Sequence, residues 1–374
     1  MPPSDPPSVV FAPDSFKGSI GAAAAAAALA EGWASVRPDD RAVLRPVADG
    51  GEGTLDAFAA AVPGAHRMPV VVTGPDGEPA EASWLLLPPT GDAPEGIGVV
   101  ELASTSGIEF LGERRLPWDA GTRGFGEAIA AALDHRVSRL VLGIGSSAST
   151  DGGAGMLTAL GAVLTDSSCR LIEPGARGLL HVAHAVLDDL RPLPAGGAVV
   201  LTDVTNPLLG PSGAAAVFGP QKGLAPDEIP AVDDGLSRLA GLLPADARAA
   251  GAGAAGGTGF ALLSWGARLV PGAAEVAELV GLPEALAGAS VVVTGEGSFD
   301  GQSAAGKAPA HVAALAAAAA VPVALAAGRI ARDADTSAFA ATASLTDLAG
   351  SSAAALAGPA TWLRAAGAAL ARSL

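Results

Sequence analysis

The segment Ser290-Val-Val-Val-Thr-Gly-Glu-Gly-Ser-Phe-Asp-Gly-Gln-Ser-Ala-Ala-Gly-Lys307 decides the fold. Its β-branched run, Ser290–Thr294, predicts a short buried strand. A glycine-rich loop follows, and the Ala-rich stretch Ala308–Ala319 predicts a helix, because Ala has the best helix propensity. Strand, loop and helix in that order form the repeating unit of a parallel sheet covered by helices. The unit recurs in both directions along the chain. Strands are expected at Val9–Ala12, Val43–Val47, Val70–Thr73, Ser83–Leu87, Gly98–Leu102, Leu140–Gly143, Ala198–Thr202 and Val321–Ala326. Helices are expected at Ile20–Ser35, Thr54–Ala61, Thr122–Leu133, Asp227–Leu243 and Ser352–Leu370. The class is therefore α/β, with one domain a doubly wound, flavodoxin- or Rossmann-like, mostly parallel sheet.

The stretch Pro63–Pro94 interrupts this rhythm with two strand candidates and Gly/Pro-rich turns. Apolar strands near both ends of the chain read as neighbours in one sheet. The expected organisation is a discontinuous first domain, 8–66 plus 287–374, with a second α/β domain, 67–286, inserted into it.

Composition narrows the function. Half of the 374 residues are apolar, aromatics are 4% and there is no Tyr, which suits closely packed helix-on-sheet layers. A formal net charge of −16 repels nucleic acid and anionic membranes. A site for an anionic ligand must then create its own positive potential from Lys, Arg or helix N-termini. The single cysteine, Cys169, excludes an intrachain disulfide and fits a reducing cytoplasm. Met1–Ser8 is Pro-rich and acidic where a signal peptide would be basic and then apolar. The longest uncharged apolar stretch, 308–328, carries His311 and Pro322 and reads as helix then strand rather than as a membrane span. The expectation is a soluble cytoplasmic protein.

The rare residues mark the site. Of 22 basic residues only Lys17, Lys222 and Lys307 are lysines; Asn206 is the one Asn, and Gln221 and Gln302 are the two Gln. All six fall in Gly- or Pro-flanked loops, where binding groups are usually carried. Gly301–Lys307 spells GxxxxGK, yet Ala308 stands where a P-loop has its Mg²⁺-binding Ser or Thr. A glycine turn, a helix start and a Lys still suit phosphate, and Glu296 and Asp300 are available as metal ligands or base. Gly143–Ala148 imitates the dinucleotide fingerprint GxGxxA. Its continuation, Ser149–Gly153, is polar where a dinucleotide-binding helix should begin, so a second anion loop with Asp151 fits better. Asp14 and Lys17 follow the first strand, and Asp49 and Glu52 follow the second. Carboxylates beside lysines are what phosphoryl transfer uses, to hold Mg²⁺ and to accept a proton. His66, His135, His181 and His184 read as packing or surface residues. His311 falls one helical turn after Lys307.

Taken together, Ala12–Ser19, Ala48–Thr54, Asp151–Leu157, Thr202–Leu208, Phe218–Gly223, Gly253–Gly257 and Thr294–Ser303 resemble the type-1 glycerate kinase family, in family order and across nearly the whole chain. The resemblance implies ATP- and Mg²⁺-dependent phosphorylation of D-glycerate, usually to 2-phosphoglycerate, with the site in the cleft between two α/β domains. For that reaction Lys17, Lys222 and Lys307 are the catalytic candidates that would neutralise phosphate and carboxylate charge, with Asp203, at a strand end beside Asn206, as base. Asp14, Ser15, Gly50, Gly51, Ser147, Asp151, Gly152, Asn206, Gln221 and Gln302 become candidates for substrate and phosphate binding. Asp49, Glu296 and Asp300 become metal ligands. Ser146 and Thr150 depart from the family loop, where Gly and Asn are common. The expected partners are D-glycerate and ATP, for a monomer or homodimer. The competing readings are an NAD-dependent hydroxy-acid dehydrogenase built on Gly143–Ala148, and a non-catalytic sugar-acid-binding protein.

Overall fold

The structure is a computed structural model that describes residues 6–301 and 308–374. Its strands are β1 (Ser8–Pro13), β2 (Arg41–Leu44), β3 (His66–Thr73), β4 (Pro79–Leu87), β5 (Ile97–Glu101), β6 (Arg139–Gly143), β7 (Val163–Thr165), β8 (His184–Val186), β9 (Ala198–Leu201), β10 (Arg268–Val270), β11 (Val291–Phe299), β12 (Val323–Ile330) and β13 (Ala341–Ser344). The chain divides into two units. Unit 1 takes the chain up to Asp49, Asp56–Pro63 and the chain from Ala273 on; unit 2 takes Gly50–Leu55 and Gly64–Gly272.

Unit 1 is built on a five-stranded parallel sheet in the order β13-β12-β11-β1-β2. Val10 stands opposite Val292 on one side and Val43 on the other. Counted within the unit, the order is 2-1-3-4-5 read from the β2 edge, the flavodoxin-like doubly wound arrangement. Val9, Val10, Phe11 and Ala12 are wholly buried, as both faces of a parallel sheet require. The Ala-rich helix Ala22–Ala34 lies against the helix Pro359–Ser373. Glycines set how closely the two approach. A Cβ on Gly32 would stand 2.0 Å from the carbonyl oxygen of Arg364, and one on Gly367 would stand 2.2 Å from that of Leu29. Phe11, Phe16, Leu29, Trp33 and Leu363 close the core around this seam.

Unit 2 carries a six-stranded sheet in the order β10-β9-β6-β5-β4-β3. Strands β10, β9, β6 and β5 are parallel. The segment that broke the βαβ rhythm supplies β3 and β4, which pair antiparallel at the edge. Phe125, Leu140, Leu142, Met156 and Phe260 lie in the core of this unit. Strands β7 and β8 form a separate two-stranded ribbon.

Three features differ from the sequence reading. The division near the C-terminal side falls at 272/273 and not at 286/287, because the helix Leu282–Leu286 packs on β1 and on the helix Ala308–Ala318. On the N-terminal side it falls at Pro63/Gly64 and not at 66/67, and the short piece Gly50–Leu55 goes with unit 2. Ser352–Leu370 is two helices, Ser352–Ala357 and Pro359–Ser373, broken at Gly358. Pro359 lacks the N–H that a continuous helix would need and takes the first position of the second helix instead.

Candidate functional site

Unit 1 holds a cavity of about 610 Å³ along the carboxyl ends of its strands, within the ~300–1,000 Å³ typical of small-molecule sites. Asp14, Ser15, Phe16, Lys17 and Ser19 follow β1, and Asp49 follows β2; Glu296, Gly297 and Ser298 come from β11, and Gly328 and Arg329 from β12. Leu345, Thr346, Ser352, Ala355 and Leu356 complete the lining beyond β13. Strands β1 and β11 are hydrogen-bonded neighbours at the switch point of the sheet, where chain connections diverge and open α/β sheets bind ligands. The N–H of Asp14 donates to the carbonyl of Gly295 at 2.8 Å, which fixes the loop after β1 onto the loop of β11.

The electrostatics of this cavity centre on Asp14. Burial, together with the charges of Asp49 and Glu296, raises its carboxyl to about 7, against the opposing hydrogen bond from Ser15 N at 2.6 Å. Lys17 and Asp49 are exposed and Glu296 is buried. Among the described residues no three His, Cys, Asp or Glu side chains form a complete metal cage. Magnesium is usually held by one or two carboxylates, with phosphates and water supplying the rest, and Asp49 and Glu296 are the cavity carboxylates that could serve it. Asp300 sits just past β11 at intermediate exposure and is not in the cavity lining. Lys307 and Gln302 lie outside the described residues.

The unit 2 candidates form a second arrangement, directed inward. Lys222 is 2% exposed and donates from Nζ to Ser147 Oγ at 2.8 Å and to the Ser149 carbonyl at 2.5 Å. Burial lowers its ammonium to about 7 although Asp151 pulls the other way. Asp151 is fully buried. Its Oδ2 accepts from Thr122 N, Thr122 Oγ1 and Gly155 N, and its Oδ1 from Ser149 Oγ and Gly153 N. Five donors fill the roughly four lone-pair sites of a carboxylate. Lys222, Ser147 and Asp151 therefore hold the loop's own backbone, where the sequence pointed to phosphate contact. Gly152, at φ +64, donates to the Gly256 carbonyl at 3.0 Å, and a Cβ there would meet Leu239 at 2.6 Å. Its glycine serves packing.

Gly50 and Gly51 serve close backbone approach as well. Gly145 N donates to the Gly50 carbonyl at 2.9 Å, and a Cβ on Gly145 would stand 2.5 Å from Gly51 Cα. This contact also corrects the dinucleotide reading, since the glycines of Gly143–Ala148 face chain where a pyrophosphate would need open space. Of the two departures, Ser146 adopts φ +57, the left-handed region where Gly is at ease, and Thr150 Oγ1 is buried with no hydrogen-bond partner. Asp203 is exposed at the end of β9 and accepts from Gly272 N at 3.0 Å. Asn206 donates to the Ser212 carbonyl at 2.8 Å, and Gln221 is exposed in a 3₁₀ turn.

Sequence reasoning missed Glu101, Arg329 and the lining beyond β13. Glu101 is 3% exposed and accepts from Gly53 N at 2.8 Å and Leu55 N at 3.2 Å, so an internal carboxylate occupies N–H groups at the start of the helix Thr54–Ala61. Both Glu101 and Arg329 are charged residues at strand ends, the signal that found Asp14.

A doubly wound α/β unit with Lys and carboxylates at its switch point defines a protein that binds a charged small molecule. The model of the glycerate kinase family matches residues 9–374. The chain is 42% identical to the glycerate 2-kinase of Escherichia coli K12, over 82% of this chain and 81% of that one. It is 42% identical to the glycerate kinase of Bacillus subtilis 168, over 87% and 86%. A crystal structure from Salmonella typhimurium LT2 that carries the name glycerate kinase 2 superposes with a TM-score of 0.84 at 38% identity, covering 98% of each chain. The chain belongs to the glycerate kinase family.

Proposed function

We propose that this protein transfers the γ-phosphoryl group of ATP to D-glycerate, giving ADP and 2-phosphoglycerate. The observation that carries the reading is the unit 1 cavity, which gathers Asp14, Lys17, Asp49 and Glu296 at the switch point of a chain in this family. The acceptor hydroxyl oxygen attacks the γ-phosphorus, the bond to the bridging oxygen of ADP breaks, and the hydroxyl proton passes to a carboxylate. Asp14 takes that role here in place of Asp203. It lines the cavity, and its burial favours the protonated carboxyl, which suits it to take up the hydroxyl proton. Lys17 supplies positive charge against the phosphate oxygens. Asp49 and Glu296 would hold Mg²⁺, which when bound neutralises phosphate charge. In unit 2, Lys222, Ser147 and Asp151 act by shaping their loop. Among the described residues no helix is long and apolar enough to cross a membrane.

The test is ADP release from purified protein with ATP, Mg²⁺ and D-glycerate, with the product identified by NMR. Turnover of roughly 1–100 s⁻¹, usual for kinases, with phosphate on the 2-hydroxyl is expected. No ADP release with D- or L-glycerate would overturn the reading.

A further inference from the structure

The cavity lining changes character along the sheet. The strand order β13-β12-β11-β1-β2 puts Asp49, Asp14, Lys17 and Glu296 at the β2, β1 and β11 end. Arg329 of β12 lies between, and Leu345, Ala355 and Leu356 stand beyond β13. Neighbouring strands are about 4.8 Å apart, so the three spacings from β1 to β13 set Asp14 and Lys17 roughly 14 Å from the apolar end. That is the length scale of one elongated molecule with a charged end and a flat apolar end. Glycerate, three carbons with a carboxylate, has nothing to place against the leucines. A nucleoside triphosphate has both ends.

Two details at the β13 end suit a heteroaromatic ring. Leu356 is 61% exposed although it lines a cavity, so much of an apolar side chain faces water there. A large apolar residue left open in a pocket marks a place where a ligand supplies the covering surface. Beside it, Thr346 Oγ1 donates to the Gly328 carbonyl at 2.8 Å and lies 3.5 Å from Ser352 Oγ. The Thr346 hydroxyl is thereby oriented, and the exposed Ser352 hydroxyl can donate to or accept from the edge of a base.

We propose that ATP lies lengthwise along the carboxyl edge of the unit 1 sheet. The purine packs against Leu345, Ala355 and Leu356, Ser352 meets its polar edge, and Arg329 faces the phosphate chain. The γ-phosphate lies toward Lys17 and Asp14. Among the described residues Arg329 donates to Ser298 Oγ, at 3.4 Å, and its exposed guanidinium presents further donors to an anion. This placement rests on the kinase reading above and names the residues that select the nucleotide.

The test is calorimetric titration of the full chain with ADP, with and without Mg²⁺, and with adenosine, alongside steady-state kinetics. Leu356→Asp and Ser352→Trp both change exposed positions, and a thermal melt confirms that each variant folds. Both are expected to raise the Kd for ADP and adenosine, and the KM for ATP, about tenfold or more. The KM for D-glycerate and the kcat at saturating ATP should hold within twofold. Unchanged Kd values in both folded variants, or a wild-type chain that binds no ADP, overturn the placement. If D-glycerate is phosphorylated while both variants keep the wild-type KM for ATP, the placement fails and the activity stands. If ADP binds through these residues and no phosphoryl group reaches D-glycerate, the activity fails and the placement stands.

Discussion

Asp14 shows how a site residue sets its own stability cost. Its carboxyl ionises at 3.8 in an unfolded chain and near 7 in the folded one. Below 3.8 both states hold the proton. Between 3.8 and 7 the unfolded chain releases a proton that the folded chain keeps, so stability falls as pH rises through that window and is flat above it. Because Asp14 is partly exposed, solvent screening cuts the full conversion to about 1–2 kcal/mol. Asp14→Asn should therefore be more stable than wild type by that amount at pH 8 without metal, the gap closing toward pH 4. As the proton acceptor, Asp14 should also be worth about 10²–10⁴-fold in kcat, with ADP still bound. Urea unfolding between pH 5 and 8, run beside kinetics, checks both halves. An Asp14→Asn chain that is less stable at pH 8, or within a few-fold of wild-type kcat, would remove the assignment. The buried Lys222 is displaced in the opposite sense, toward neutrality, and its two hydrogen bonds show why it stays buried: it ties Ser147 to Ser149.

At the scale of an element, the loop between β6 and the helix Ala154–Ala159 is organised by Asp151. Its five accepted hydrogen bonds reach Thr122, Ser149, Gly153 and Gly155. Exchanging one oxygen for an amide turns an acceptor into a donor that faces other donors. Asp151→Asn should therefore cost about 3 kcal/mol, nearly as much as Asp151→Ala, since buried N–H groups lose their partner in either case. If Asp151 were a ligand-binding group, Asp151→Asn would keep its thermal midpoint and lose affinity alone. The thermal midpoint of each variant and its ADP affinity separate the two roles. This loop also marks what the sequence could show. Glycine spacing revealed that backbone approaches something closely at Gly50, Gly145 and Gly152, and could not reveal that the something is chain rather than phosphate. Long β-branched runs such as Val291–Thr294 announced their strands. The strand Ala341–Ser344 has one β-branched residue and gave no such sign; only its pairing with β12 makes it a strand. The Gly358-Pro359 break was present in the sequence, inside a stretch whose Ala and Leu content suits one long helix.

For the whole molecule, the order in which the chain builds its sheets decides what can fold by itself. Unit 1 draws β1 and β2 from one end of the chain and β11, β12 and β13 from the other, with β1 and β11 paired at the centre of the sheet. Neither end carries a complete sheet. A chain of residues 273–374 keeps three strands but loses β1, which pairs with one edge of β11, and the glycine at 367 would open its seam to water in place of the helix Ala22–Ala34. Unit 2 differs, because β3, β4, β5, β6, β9 and β10 and the core around Phe125, Leu142 and Phe260 all lie within residues 64–272. That piece gives up Gly50–Leu55, and with it the two N–H groups that Glu101 accepts. With Gly50–Leu55 removed, the uncovered Glu101 carboxylate can turn to water, so the loss is about 1–3 kcal/mol, within the 5–15 kcal/mol typical of a domain. Residues 64–272 should unfold in one cooperative urea transition and give dispersed amide NMR signals, whereas residues 273–374 should give neither until a chain of residues 1–63 is added. A cooperative transition from 273–374 alone would show that β11, β12 and β13 do not need β1, contrary to the central pairing of the sheet.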